Sequence, residues 1–99
     1  MLLIVGTFRF PADRMAQARP AMARMIAATR AEDGCDFYAF AEDLLDPGLI
    51  RVSERWRDMA ALAAHAASAH MAEWRAAGAA LGVGERDLML YEVADAKVL

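Results

Sequence analysis

The sequence predicts an α+β fold with the element order β-α-β-β-α-β. Four short segments are rich in β-branched and aromatic residues, alanine-rich segments with helical spacing lie between them, and glycine or proline marks the joints. Two β-α-β halves in this order form the split βαβ arrangement of ferredoxin-like folds. We therefore expect four antiparallel strands with the helices on one face, in a single domain over residues 1–99.

The first half of the pattern is one strand followed by one helix. Residues 2–10 form the strand, and Pro11 ends it. Asp13 is placed to cap the helix, and Gly34 to end it. Pro20 removes one backbone hydrogen bond and is expected to kink or divide the helix. The apolar stripe of this helix, expected in the core, is Met15, Ala18, Met22, Met25 and Ile26.

The second half contains three strands and a helical region. Pro47-Gly48 is a turn signal and predicts a hairpin between the first two of these strands. Asp58 is placed to cap a short helix, and Ser68 to cap a longer one that ends near Leu81. The three strands are predicted at residues 35–43, 49–56 and 86–94.

Apolar side chains occupy both faces of the predicted strands. In the first strand Leu2 and Ile4 alternate with Leu3 and Val5. A sheet covered by helices on one side only should instead alternate apolar and polar residues. The second face therefore needs a cover, and a second copy of the same sheet provides one. We expect a homodimer.

Composition excludes several classes of partner. The net charge is −3, and the ten arginines and single lysine are scattered among acidic residues, so no nucleic-acid surface is expected. No segment approaches the roughly 18 apolar residues of a membrane span, and the first residues do not have the pattern of a signal peptide. The single cysteine, Cys35, excludes an internal disulfide. We expect a cytoplasmic domain.

Residues 53–74 contain both histidines, His65 and His70, and both tryptophans, Trp56 and Trp74. A metal site is not predicted, because histidines five residues apart lie about 140° apart around an ideal helix and no ligand pattern is complete. Cys35 at a strand start is interpreted as a small buried residue rather than a nucleophile.

Two interpretations of the histidines remain open. Each can be a partly buried helix residue bonded to a carbonyl. Alternatively, His65 is a base in a pocket with Trp56 and Tyr38, since histidine has an ordinary pKa of about 6.5 and aromatic walls suit a flat organic ring. Glu54, with Arg55 and Arg57, is interpreted as a charge at the strand edge or a dimer contact.

Three short motifs resemble the antibiotic biosynthesis monooxygenase family, and the resemblance covers nearly the whole chain. They are E-x-G-C…Y (Glu32, Gly34, Cys35, Tyr38), E-x-W-x-D (Glu54, Trp56, Asp58) and H-x-x-S-x-H (His65, Ser68, His70). The apolar first strand and the closing LYEV also match. The resemblance implies a dimeric α+β barrel with a pocket between sheet and helices in each subunit.

The resemblance also implies a reaction. Oxygenases of this family use O2 on quinol, anthrone or similar phenolic substrates without metal or flavin, so O2 is expected as co-substrate and a small aromatic molecule as the ligand. His65 is then the expected base, and Trp56 and Tyr38 are the ring contacts. His70 and Trp74 are expected to line the pocket or to orient the base. A non-catalytic dimeric binding domain and a cofactor-free isomerase are the alternatives.

The chain departs from one branch of the family. It contains no asparagine, which the anthrone-type and heme-degrading members place in the pocket, and Thr7 lies near the strand-one position used by the heme degraders. Heme degradation is therefore disfavoured, and the quinol-type branch with its paired histidines is the closer likeness.

Overall fold

The computed structural model describes residues 1–99 and has the predicted ferredoxin-like order of elements. The sheet is antiparallel throughout, with the strand order β2-β3-β1-β4. The strands are β1 (Leu2–Arg9), β2 (Cys35–Glu42), β3 (Leu49–Trp56) and β4 (Gly84–Glu92). The helices are α1 (Met15–Arg30), α2 (Met59–Ala66) and α3 (Ala69–Ala80), with a 3-10 turn over Ala12–Arg14 before α1.

The core lies between the sheet and the helices. Alternate residues of each strand face the helices, so Ile4 and Phe8 of β1 are buried beside Val52 of β3. The predicted methionine stripe of α1 is confirmed, because Met15, Met22 and Met25 are all buried against these strands. Leu2, Phe10, Ile50, Trp56 and Tyr38 complete the main apolar contacts.

Two capping residues mark the starts of α2 and α3, as predicted. Asp58 Oδ1 accepts a hydrogen bond from the Ala61 amide at 2.9 Å, and Ser68 Oγ accepts one from the Met71 amide at 3.2 Å. Because these caps set the start of each helix, they also set the direction in which the histidine of each helix points.

The start of α1 differs from the prediction. Asp13 makes no capping bond and lies in the 3-10 turn, while Arg14 precedes the first helical residue. Pro20 does not divide the helix, which continues to Arg30. The missing amide of Pro20 lies early in the helix, and buried side chains on both sides of it anchor the segment to the sheet.

The end of α1 also differs from the prediction. The helix ends at Arg30, and Gly34 takes its left-handed conformation (φ +81°) in the turn that follows, directly before β2. At the far end of the chain, β4 begins at Gly84 rather than at residue 86, because it continues to pair with Arg9 beyond an irregularity in the β1–β4 ladder.

The sheet face away from the helices carries apolar side chains, as expected from the sequence. Leu3 and Val5 of β1 are partly buried there, and Phe37 and Tyr91 of the flanking strands are about half exposed. Thr7 lies on this same face. None of the three helices has the length and hydropathy needed to cross a bilayer.

Replacing Gly34 by alanine should destabilise the fold by about 1–3 kcal/mol. The residue has a positive φ, and an added Cβ would lie 2.6 Å from the Cβ of Ala61 in α2. Gly84→Ala is the matched control, since nothing lies within 4 Å of its added Cβ. Urea unfolding of both variants measures the difference; equal stability of the two would contradict this account of the turn.

Candidate functional site

A cleft of about 670 Å³ opens between the sheet and helices α2 and α3. Its wall is mostly apolar, and 14 of its 20 lining residues are hydrophobic. This volume lies within the range of pockets that hold small organic ligands, which extend over about 300–1,000 Å³. The polar groups in the wall are few and include His65, Tyr38 and Glu54.

His65 occupies the floor of this cleft. It lies in the last turn of α2, with only 4% of its surface exposed. Its ring packs on the indole of Trp56, with 4.7 Å between the centroids, and the ring of Tyr38 lies 5.6 Å away. The aromatic contacts leave the imidazole little freedom to turn.

Glu32 fixes which ring nitrogen of His65 carries a hydrogen. Its Oε2 atom lies 2.6 Å from His65 Nδ1. Since a carboxylate only accepts, Nδ1 is the donor, and in the neutral form of the ring Nε2 carries no hydrogen. Every buried side-chain nitrogen or oxygen has a hydrogen-bond partner, whereas Nε2 of His65 has none. Nε2 is therefore not buried, and the open space beside His65 is the cleft.

The local fold explains how Glu32 reaches α2. The chain turns tightly after α1, with the Glu32 amide bonded to the Thr29 carbonyl at 3.0 Å and the Cys35 amide bonded to the Glu32 carbonyl at 3.3 Å. Gly34 lets this turn approach Ala61 closely. The carboxylate therefore projects toward the end of α2, where His65 lies.

His70 contacts the same carboxylate oxygen from another side. Its Nε2 lies 3.1 Å from Glu32 Oε2, and the two imidazole centroids are 6.0 Å apart. His70 does not line the main cleft. It lines a smaller groove of about 270 Å³ between α1 and α3, together with Glu73 and Trp74. Of the two roles expected of His70, lining the ligand pocket does not match its position, and orienting the base stays a prediction.

Trp56 is completely buried and does not line the cleft, so the expected direct contact with a bound ring is not available to it. Its indole supports the His65 ring, and its Nε1 donates a hydrogen bond to Glu54 Oε1 at 2.9 Å. The interpretation of Glu54 as a strand-edge charge is wrong. β3 turns this side chain toward the helices, and it lies almost buried in the cleft wall.

Burial decides the protonation of the polar groups in the wall. It raises the pKa of Glu54, and the hydrogen bond from Trp56 and the charge of Arg86 only partly oppose this. Burial, reinforced by the charge of Glu54, raises the pKa of Tyr38 far above its ordinary value, so the phenol stays neutral. Burial also raises the pKa of the Cys35 thiol, although this residue is only partly buried and not fully buried as the sequence indicated.

Tyr38 and Trp74 both line the cleft, as predicted. Trp74 packs against Phe40 and Phe8, with ring centroids 5.6 and 5.8 Å apart, and so continues an aromatic wall from the sheet to α3. Such a wall suits a flat ring. The structure thus brings His65, Tyr38 and Trp74 to one volume and places Trp56 and His70 behind it.

Sequence reasoning missed the contacts of Glu32 and Glu54. Glu32 belongs to the E-x-G-C motif, but nothing in its position indicates contact with a histidine 33 residues later. Glu32, His65 and His70 are also the one group of three potential metal ligands in the chain, with their ligand atoms within 4.8 Å of one another. The spacing argument against a metal did not include this carboxylate.

Comparison with known proteins agrees with the fold and the motifs. The antibiotic biosynthesis monooxygenase family model matches residues 1–77. A Deinococcus radiodurans protein provisionally assigned as an antibiotic biosynthesis monooxygenase is 30% identical, with a TM-score of 0.91 over 100% of this chain and 98% of its own.

Two further structures extend the comparison. The Mycobacterium tuberculosis protein Rv0793 is 30% identical, with a TM-score of 0.77 and coverage of 98% and 96%. A Nitrosomonas europaea protein has a TM-score of 0.84 at 18% identity, over 96% of this chain and 100% of its own, and so supports the fold alone. No functionally curated protein matches. The family model covers most of the chain, and this protein therefore belongs to the antibiotic biosynthesis monooxygenase family.

Proposed function

We propose that this protein is a cofactor-independent monooxygenase that uses O2 to oxidise a small quinol or polyphenol. The observation that carries the proposal is the Glu32–His65 contact at the floor of an aromatic cleft. The carboxylate holds one nitrogen of the ring, and the other faces the space where a ring-shaped substrate fits. This is the arrangement of a general base with an orienting partner.

The first chemical step is proton transfer. A phenolic hydroxyl of the substrate gives its proton to His65 Nε2, and the imidazolium that forms is stabilised by Glu32 through Nδ1. The resulting phenolate is electron-rich and transfers one electron to O2. The apolar wall keeps water away from the radical pair that this produces.

The remaining steps need no electron donor or acceptor other than the substrate and O2. The substrate radical and superoxide combine at a ring carbon, and the resulting peroxide takes up the proton held by His65 and loses water. One oxygen atom stays on the product, which is a quinone, and the other leaves in water. The substrate supplies all four electrons. Glu54, whose pKa is raised by burial, is a second group able to hold a proton beside the peroxide.

The proposal includes a homodimer formed through the open face of the sheet. Phe37 and Tyr91 present about half of their surfaces to solvent on this face, and Leu3 and Val5 lie between them. Exposed apolar side chains on a sheet face are typical of subunit interfaces, and in this row the exposed Arg55 lies between Phe37 and Leu3. The cleft opens on the opposite side of the sheet, so each subunit would keep its own base.

Oxygen uptake with reduced naphthoquinones tests the reaction. His65→Gln should lower the rate by about 10²–10⁴-fold because the base is removed. Glu32→Gln should lower it by at least about tenfold because the ring is no longer oriented. Uptake is measured with an oxygen electrode after subtraction of spontaneous oxidation.

Asp36→Asn, which changes an exposed carboxylate near the site, is the control and should leave the rate unchanged. Undiminished uptake by His65→Gln would refute the assignment of the base. Equal turnover under nitrogen would instead indicate an isomerase, and ligand-induced thermal stabilisation without product would indicate a binding domain.

Glu54→Gln should raise the melting temperature more at pH 7.5 than at pH 4. Because burial raises the pKa of Glu54 in the folded chain, folding stability falls as the pH rises from the ordinary value of about 4.5 toward the folded-state pKa. Glutamine does not ionise and so removes this loss of stability, and its side-chain oxygen can still accept the hydrogen bond from Trp56. Thermal melts of both proteins across this range test it; a constant difference between them would show that Glu54 has the same pKa in the folded and the unfolded chain.

Phe37→Asp should convert the proposed dimer into a monomer, because a charge would then be buried within the proposed interface. Arg19→Ala, on the exposed side of α1, should leave the dimer intact. Sedimentation velocity at micromolar concentrations measures both masses. A monomeric native chain of about 10.8 kDa would exclude the dimer.

A further inference from the structure

We infer that Glu32, His65 and His70 form a binding site for one divalent transition-metal ion, and that the ion, when bound, blocks the His65 base. The metal site is independent of the reaction proposed above. Only the second part, the loss of the base, rests on that proposed function.

The first argument is convergence. Three side chains from three separate segments, the turn after α1, helix α2 and helix α3, direct their ligand atoms to one point. Glu32 Oε2 lies 2.6 Å from His65 Nδ1 and 3.1 Å from His70 Nε2. Both imidazoles thus approach one carboxylate oxygen, and an ion at this point would replace the hydrogens that now link them.

The second argument is geometric fit. Ligand bonds to Zn²⁺ are about 2.0–2.2 Å long, which places tetrahedral ligand atoms roughly 3.3 Å apart. The two separations that involve Glu32 Oε2 are shorter by about 0.2–0.7 Å on that basis, and the two ring nitrogens lie within 4.8 Å of each other. Glu32 can provide the difference, since it lies in a turn and rotation of its side chain moves the carboxylate away from the two rings.

The third argument is access from solvent. His70 lines the groove between α1 and α3, on the far side of the cluster from the substrate cleft. Glu73, one helical turn after His70, lines the same groove and can supply a fourth ligand directly or through water. Arg24 also lines it, and its positive charge opposes the binding of a cation.

The donor set indicates the class of ion. Two imidazoles and one carboxylate suit Zn²⁺, Ni²⁺, Cu²⁺ or Fe²⁺, whereas Mg²⁺ and Ca²⁺ prefer oxygen ligands alone. The thiol of Cys35 is not part of the cluster. We therefore expect binding of the first group and none of the second.

The consequence for His65 follows from the chemistry of imidazole. A metal on Nδ1 leaves the hydrogen of the neutral ring on Nε2, the nitrogen that borders the cleft. The ring then donates a hydrogen bond into the cleft and can no longer accept a proton from a substrate. Metal binding and base catalysis are therefore mutually exclusive states of the same three side chains.

Zinc titration of the untagged chain tests the site. Because the chain has only two histidines, ¹H–¹⁵N spectra of the imidazoles assign the binding atoms without ambiguity. We expect one Zn²⁺ per chain by calorimetry, with large shifts of His65 Nδ1 and His70 Nε2. His70→Ala and His70→Gln should each weaken binding by at least about 10–100-fold, and Glu32→Gln likewise. Cys35→Ser should bind Zn²⁺ normally.

Circular dichroism of each variant confirms that it is folded, and the pair of His70 variants guards against a fold defect in one of them. Absence of Zn²⁺ binding, or binding unchanged by the Glu32 and His70 variants, would overturn the site.

Oxygen uptake supplies the second readout. Zn²⁺ should inhibit the native chain, and half-inhibition of His70→Ala, relative to its own zinc-free rate, should need at least about ten times more Zn²⁺. Zn²⁺ binding at the three ligands with undiminished uptake would overturn the block. Zn²⁺ binding in a chain that never consumes oxygen would support the site and reject the proposed reaction.

Discussion

The contact between the Glu32 carboxylate and the two imidazoles is the constraint on which the site depends. One oxygen atom joins the turn after α1 to two consecutive helices, whose histidines lie 33 and 38 residues later in the chain. A largely buried carboxylate and a buried imidazole would each be costly alone, because neither could replace its lost hydrogen bonds to water. Together they satisfy each other, and the side chains around them leave no buried polar atom without a partner.

The strands of the sheet supply the side chains that surround this contact. Strand alternation turns Tyr38, Glu54 and Trp56 toward the helices, so that aromatic rings surround His65 and a second carboxylate lies in the cleft wall. The two glutamates have different environments and therefore different roles. Glu32 orients the imidazole, whereas burial favours the protonated form of Glu54.

The histidine cluster also separates two spaces of different character. On one side is a wide, mostly apolar cleft suited to an organic ring, and on the other a small groove containing Glu73 and Arg24. His65, the proposed base, is therefore shielded in the cleft, while His70 is reachable from the opposite side. Binding in the groove can therefore act on the histidine cluster without anything entering the cleft.

The sequence alone determined the order of elements, the capping residues Asp58 and Ser68, the methionine core and the family motifs, because these depend on local spacing and on side-chain chemistry. It did not determine the convergence of Glu32 on both histidines, the burial of Glu54, or the places of Trp56 and His70 behind the cleft. Those depend on how the turn at Gly34 meets α2 and on which way β3 faces, and only long-range packing decides them.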